Sequence, residues 1–156
     1  MSLRARISEV GLTVESQPTW GKTLDEVMKT HVEPKLIQPT FIIEHPVEST
    51  PLCKQSRTRK GYVERFELFM VGMECANAYS ELNDPVVQRT LLEDQAAQLR
   101  AGAEEAHPMD EDYIESVEYG MPPTGGVGIG IDRMVMLLTN SKTIKDVILF
   151  PFMKIV

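Results

Sequence analysis

The feature that most constrains this chain is a run of alternating glycines near its carboxy-terminal end, Gly126, Gly128 and Gly130, which we call the glycine strip. Alternating positions of a strand share one face, so this spacing predicts a strand that is bare of side chains on that face. Glycine weakens a strand, but a bare face lets a flat group approach the backbone closely. A nucleobase is the candidate that the pattern favours. Ile129 and Ile131 are predicted to point the other way, into a core.

The residues after the glycine strip predict a helix. Residues 134–138 form an apolar run, and Arg133 then falls in the first helical turn. The amide end of a helix carries partial positive charge and favours phosphate. Arg133 is therefore a candidate nucleotide ligand. The alternative is a glycine-rich connector packed against a helix, because a short Gly-x-Gly pattern is weak evidence by itself.

A second group of candidates lies on a predicted hairpin formed by residues 63–70 and 73–80. Three carboxylates, Glu67, Glu74 and Glu81, stand there among apolar residues, where a carboxylate is costly unless it has a partner. The alternative is a solvated sheet face whose glutamates have no special role.

The spacing along the hairpin predicts which side chains lie together. Three polar residues two positions apart share one face of the second strand: Asn77, Tyr79 and Glu81. With a loop of residues 71–73, Glu67 falls opposite Asn77 and joins this face. Simple alternation puts Glu74 on the other face, so a bulge between Glu74 and Asn77 is needed to bring it round, and bulges are common beside active sites.

The remaining pattern predicts an α+β fold, an antiparallel sheet flanked by helices, because strands are bracketed by helices without a repeating βαβ rhythm. A further strand is expected at 39–44 and a last apolar stretch at 147–150. Helices are expected at 3–10, 23–32, 84–105 and 110–119, with Asp84 and Asp110 as amino-terminal caps.

The length of the chain, 156 residues, indicates one domain. Met1, Ser2 and Leu3 are a candidate expression leader. No apolar run is long enough for a membrane span, so we expect a cytoplasmic protein. The chain has only two cysteines, which argues against a disulfide framework. Its three histidines are scattered, and none is interpreted as catalytic. Its net charge of −7 argues against a domain that grips a polyanion unaided. The one dense basic segment, 54–60, is interpreted as a solvated loop.

Residues 120–133 resemble motif 3 of the class II aminoacyl-tRNA synthetases, in which a glycine strand underlies adenine and an arginine covers the nucleotide. Other segments look like the lysyl-tRNA synthetase family in particular, and the similarity runs from about residue 4 to the end: 20–26, 32–40, 64–85, 88–89, 118–124 and 149–154. The resemblance implies a partial class II catalytic core, consistent with the α+β pattern.

The resemblance also implies site roles. The glycine strip and Arg133 would bind ATP, with Arg133 as the catalytic residue, and Glu67 and Glu74 would hold Mg²⁺. The lysine ε-ammonium would be bound at Glu81 and Tyr79, with Asn77 lining the same pocket. These roles suit the chemistry, because activation joins two anions and needs Mg²⁺, while an ammonium needs a carboxylate.

Other parts of that family have no counterpart in this sequence: motif 1, motif 2 with its α-phosphate arginine, and the anticodon-binding barrel. We therefore expect the carboxy-terminal part of a lysyl-tRNA synthetase catalytic domain. In isolation it should self-associate or be partly disordered around 54–60, bind ATP weakly at best and tRNA(Lys) weakly or not at all, and form no lysyl-adenylate. Two alternatives remain open, a relative that attaches lysine to a translation factor and a non-enzymatic binding module.

Overall fold

A computed structural model describes residues 3–15, 17, 19–102 and 107–152 of the chain. Its strands are β1 (Thr40–Ile43), β2 (Arg65–Met70), β3 (Met73–Ser80) and β4 (Gly125–Ile129), and its α-helices are α1 (Leu3–Glu9), α2 (Trp20–Val27), α3 (Pro85–Arg100), α4 (Glu111–Glu118) and α5 (Ile131–Thr139). The strands form one antiparallel sheet in the order β1-β2-β3-β4. The predicted α+β class is confirmed.

The amino-terminal helices differ from prediction mainly at their ends. Helix α2 begins before the predicted residue 23 because the Thr19 side chain accepts the Lys22 amide, at 3.3 Å, and so caps the helix. After α2 the chain continues as a π-helical turn, Met28–Val32, and a 3-10 turn, Glu33–Lys35. This continuation approaches the hairpin, where the Val71 amide donates to the Ile37 carbonyl at 3.0 Å.

The two later helices begin as predicted. Asp84 accepts the amides of Val86 and Val87 at the start of α3, and Asp110 accepts the amide of Tyr113 at the start of α4. Helix α3 ends at Arg100, short of the predicted residue 105, because Gly102 takes a positive φ of 96°. Residues 103–106, where the predicted end falls, lie outside the described residues.

Helices α3 and α4 pack together and contribute Leu92, Ala96, Ile114 and Val117 to the buried core. The buried Gln88 side chain ties α3 to the loop before β2 by donating to the Pro51 carbonyl at 3.0 Å. Within the described ranges, no helix combines the length and apolar character that crossing a membrane would require.

The β2–β3 hairpin closes with a two-residue loop. Met70 pairs with Met73, so the loop consists of Val71 and Gly72, with φ values of 53° and 72°. Positive φ at both positions is the geometry of a type I′ turn, which suits the twist of the adjoining strands. The strands predicted at 63–70 and 73–80 leave this same two-residue loop, whereas the loop of residues 71–73 that was assumed for the register includes Met73, which is paired.

The extra residue of the hairpin is found in a bulge at Cys75. Leu68 pairs with Ala76 while Phe69 pairs with Glu74, which leaves Cys75 without an opposite residue. The bulge lies where the sequence required one, between Glu74 and Asn77. It places Glu74 on the same face of the sheet as Glu67, two rungs of the ladder away from the Glu67–Asn77 pair.

The sheet consequently has one polar and one apolar face. The strand register puts these residues together on the polar face: Arg65, Glu67, Glu74, Asn77, Tyr79, Gly126 and Gly128. The opposite, apolar face carries Phe41, Ile43, Phe66, Leu68, Ala76, Ala78, Val127 and Ile129.

The prediction that Ile129 and Ile131 point into a core was wrong. Their side chains are 56% and 66% exposed. Ile129 lies on the apolar face of β4, an edge strand whose apolar face is not covered by the described residues. Ile131 does not continue the strand at all, because it is the first residue of α5.

Candidate functional site

The centre of the polar face is an arginine that the sequence analysis did not single out. The Arg65 Nε–H donates to Asn77 Oδ1 at 3.1 Å, and one terminal amino group of its guanidinium donates to a Glu67 carboxylate oxygen. The side chains of Arg65 and Glu67 are only 16% and 15% exposed. One buried guanidinium therefore links a residue expected at the lysine site to a residue expected at the metal site.

Glu67 lies in an acidic environment. Burial raises the pKa of the Glu67 carboxyl, and neighbouring Arg65 opposes that rise. Burial and the charge of Glu67 raise the pKa of Glu33, which also interacts with Glu74. His45, 3.9 Å from Glu67, has its pKa lowered by burial and by Arg65, so it favours the neutral form. Added positive charge would relieve the repulsion among these carboxylates.

The carboxylates Glu67 and Glu74 fit a site for Mg²⁺ that is completed by a nucleotide. They stand on adjacent strands and on one face, and both offer the hard oxygen ligands that Mg²⁺ prefers. Over the described parts of the chain, no three His, Cys, Asp or Glu side chains form a closed metal site. Mg²⁺ in nucleotide sites takes one or two carboxylates and completes its shell with phosphate oxygens and water.

Arg133 contacts Glu74 of β3 from helix α5, which follows strand β4. It lies in the first turn of α5, as predicted, and its guanidinium donates to the Glu74 main-chain carbonyl and lies 3.8 Å from the Glu74 carboxylate. The Gly130 amide donates to the carbonyl of Cys75 at 2.9 Å. The bulge thus supplies two successive carbonyls that fix the start of α5, and with it Arg133, beside the expected metal carboxylates.

Glu81 is a carboxylate without a counter-ion. Burial raises its pKa, and among the residues that the structure describes no cation lies within ion-pair distance of it. It borders a cavity of about 350 Å³ together with Tyr79 and Tyr113. Two phenols and a partly desolvated carboxylate in a cavity of this size suit a ligand that ends in a cation.

The glycines have separate structural roles. A Cβ atom at Gly126 would lie 2.2 Å from a carboxylate oxygen of Glu81, so this glycine makes room for Glu81. A Cβ atom at Gly128 would meet only the Asn77 carbonyl, at 3.8 Å, so the sheet is open there. Gly130 follows β4 as the residue before α5, which corrects the expectation that all three glycines lie within the strand.

These differences predict opposite phenotypes for two identical substitutions. Gly128→Ala is expected to leave the melting temperature within about 2 °C of the wild type, because the added methyl group finds free space and costs little. If a base stacks on that strip, the same methyl group should still weaken ATP binding. Gly126→Ala should instead displace the Glu81 carboxylate and weaken lysine binding. The melting temperature of the chain, and the ATP and lysine KM values of ATP–pyrophosphate exchange in a longer enzyme that carries this chain, test both expectations. If each substitution changed the ATP KM and the lysine KM equally, this assignment would be contradicted.

The basic segment 54–60 is folded onto its surroundings, which does not support the disorder expected there. Lys54 donates to Asn83 at 2.9 Å, Arg57 pairs with Glu64 at 2.6 Å, and Arg59 pairs with Glu44. These acceptors offset much of the positive charge, which agrees with the interpretation of the segment as a loop and not as a polyanion site.

One protein family matches the part of the chain that contains these residues. The family model of the class II tRNA synthetases for aspartate, lysine and asparagine (D, K and N) matches residues 13–154. The chain belongs to this family. The match includes the whole sheet, the bulge, α5 and every candidate residue described above.

Three relatives share the name lysine–tRNA ligase. The protein of Pelotomaculum thermopropionicum is 56% identical over 145 residues, which cover 93% of this synthetase chain and 29% of the relative. That of Moorella thermoacetica is 55% identical over 151 residues, covering 97% and 31%. That of Staphylococcus aureus is 53% identical over 151 residues, covering 97% and 30%. The chain thus spans about 30% of the length of these relatives.

Three residues of the synthetase site were not found from the sequence. Arg65 could have been, because it stands two positions before Glu67 and strand alternation places both on one face. Glu33 and Tyr113 could not, because each reaches the site from an element that is distant in sequence and whose packing no local pattern specifies.

Proposed function

We propose that this chain is the carboxy-terminal part of the catalytic domain of a lysine–tRNA ligase, with sites for ATP, Mg²⁺ and lysine. The observation that carries the proposal is Glu81, a partly buried carboxylate beside two tyrosines and without a counter-ion among the described residues. An unpaired carboxylate is costly to keep there unless a ligand supplies the cation. The ε-ammonium of lysine is a cation of the required kind, and the names of the relatives support that choice.

The proposed reaction is the activation of lysine. A carboxylate oxygen of lysine attacks the α-phosphorus of ATP, the bond from that phosphorus to the bridging oxygen breaks, and pyrophosphate leaves with the electron pair. Mg²⁺, held by Glu67 and Glu74, would offset the charge of the two anions. Arg133 would place its guanidinium over the nucleotide on the bare backbone of Gly128, and Glu81 with Tyr79 would hold the lysine side chain. The lysyl group would then pass to tRNA(Lys).

We further propose that residues 1–156 alone do not complete this reaction. The sequence offers no counterpart of the motif 2 arginine that would hold the α-phosphate, and positioning and charge stabilisation dominate such chemistry. The apolar face, which the described residues leave uncovered, supports the expectation of self-association, since Phe41, Ile43 and Val127 are 59%, 62% and 65% exposed. The charge of −7 supports the expectation that tRNA binds weakly or not at all.

The test uses the chain alone and a chimaera, defined as the Moorella thermoacetica ligase in which this chain replaces the matching 151 residues. Lysine-dependent ATP–pyrophosphate exchange is expected from the chimaera and not from the chain. A folded chimaera that gave no lysine-dependent exchange would contradict the proposed function. Exchange by the isolated chain that disappears in Arg133→Ala would show instead that residues 1–156 suffice.

A further inference from the structure

The contacts of Arg65 carry an inference that rests on the proposed function and extends it. A guanidinium has only hydrogen-bond donors, so the amide atom that faces Arg65 Nε must be the Asn77 oxygen. The Asn77 Nδ2 group, with its two N–H donors, is thereby directed away from the arginine. Within the described part of the chain, no acceptor lies in hydrogen-bond reach of that nitrogen.

The same guanidinium holds Glu67 through its other edge. A guanidinium is planar and rigid, so its Nε–H and terminal N–H groups cannot be reoriented independently of one another. The position of the Asn77 amide and the position of the Glu67 carboxylate are consequently set by one side chain. His45 faces Glu67 as well, but at 3.9 Å it makes no comparable hydrogen bond.

We propose that Arg65 is a positioning residue for lysine activation: it fixes the Asn77 amide with its N–H groups toward the ligand and fixes Glu67 for the metal. Asn77 then acts as a donor, and it recognises an acceptor of the ligand, such as a carboxylate or phosphate oxygen, and not the ammonium group. Arg65 itself touches neither substrate. Its replacement affects the lysine and Mg²⁺ sites together, whereas replacement of Glu81 affects the lysine site alone.

The first test measures lysine-dependent exchange in the chimaera. Arg65→Gln is expected to raise the lysine KM about tenfold or more and to raise the Mg²⁺ concentration at half-maximal rate, because a buried charge-assisted network is lost. Arg65→Lys should restore the Mg²⁺ requirement in part, by its charge, but not the lysine KM, because an ammonium lacks the fork geometry. Arg6→Gln, at an exposed ion pair on α1, is the matched control.

A double-mutant cycle separates positioning from general damage. If Arg65 acts through Asn77, Arg65→Gln should raise the lysine KM little further in an Asn77→Ala background. Two effects that multiply would overturn the proposal, as would a lower kcat with unchanged lysine KM and Mg²⁺ requirement in Arg65→Gln. A wild-type chimaera that shows no lysine-dependent exchange would instead contradict the proposed function, so the two failures are distinguishable.

The second test does not depend on activity. In the ¹⁵N NMR spectrum of the isolated chain, the side-chain amide signals of Asn77 are assigned by their loss in Asn77→Asp. We expect these signals to shift in Arg65→Gln and to remain in place in Arg6→Gln. Unchanged Asn77 signals in a folded Arg65→Gln chain would show that the arginine does not set the amide, and would overturn the inference.

Discussion

Replacing Glu81 with glutamine is expected to raise the lysine KM of the chimaera roughly ten- to a hundredfold, the equivalent of one charge-assisted hydrogen bond. The ATP KM should remain within about twofold of the wild type, because the glutamine keeps the shape of the side chain over Gly126. Glu111→Gln, at an exposed ion pair on α4, is the matched control. An unchanged lysine KM would remove Glu81 from the lysine site.

Glu81→Gln should stabilise the fold at pH 7 although it weakens lysine binding. Because burial raises the pKa of Glu81 in the folded state, the folded chain binds this proton more tightly than the unfolded chain does. The free energy of unfolding therefore falls as pH rises past the ordinary glutamate range and the side chain ionises. Glu81→Gln should raise the melting temperature at pH 7, and the gain should shrink as pH falls below that range. A variant that loses lysine recognition while gaining stability would mark Glu81 as a functional residue.

The second large effect is expected at the metal carboxylates. Glu67→Gln and Glu74→Gln should each raise the Mg²⁺ requirement of exchange and lower its rate, by about tenfold or more, because each removes charge that would hold the cation.

The two variants should differ in their free energy of unfolding. Glu67→Gln leaves the buried Arg65 with a neutral partner, a loss that relief of the buried Glu67 charge offsets in part, and should cost about 1–3 kcal/mol. Glu74→Gln breaks a contact between half-exposed side chains and should cost less than about 1 kcal/mol.

Magnesium titrations of exchange and chemical unfolding of the isolated chain measure the two quantities separately. If both variants titrate with Mg²⁺ like the wild type, the carboxylates have a structural role only. If Glu74→Gln destabilises the fold as much as Glu67→Gln does, the contrast drawn from their burial is wrong.

The pairing of Glu67 with Asn77 could be predicted because strand alternation and the number of residues in the hairpin determine it together. Moving the extra residue from the loop to the bulge changes neither that number nor the pairing. The bulge itself was also predictable, because Glu74 and Asn77 are an odd number of residues apart and cannot share a face of a regular strand. The type I′ turn was not predicted, since a β-branched residue such as Val71 rarely takes a positive φ.

The rest depended on packing that local sequence does not specify. Ile129 and Ile131 have the composition of core residues, yet burial depends on what covers a sheet face, and the described residues leave this one open. The role of Gly126 as space for Glu81 depends on an approach between β3 and β4, which adjoin in the sheet but are far apart in sequence. The spacing of the glycines indicated a bare face without indicating which side chain would enter it.

The bulge at Cys75 also determines how this region would respond to a change in chain length. Deleting Cys75 would reduce the spacing of Glu74 and Asn77 from three residues to two, so a regular strand would still present both on the polar face. The deletion would, however, remove the carbonyl that accepts the Gly130 amide. A shortened strand could therefore keep its carboxylates in place while the start of α5 lost one of the two main-chain carbonyls that hold it, so the length of the chain here affects the helix more than the sheet.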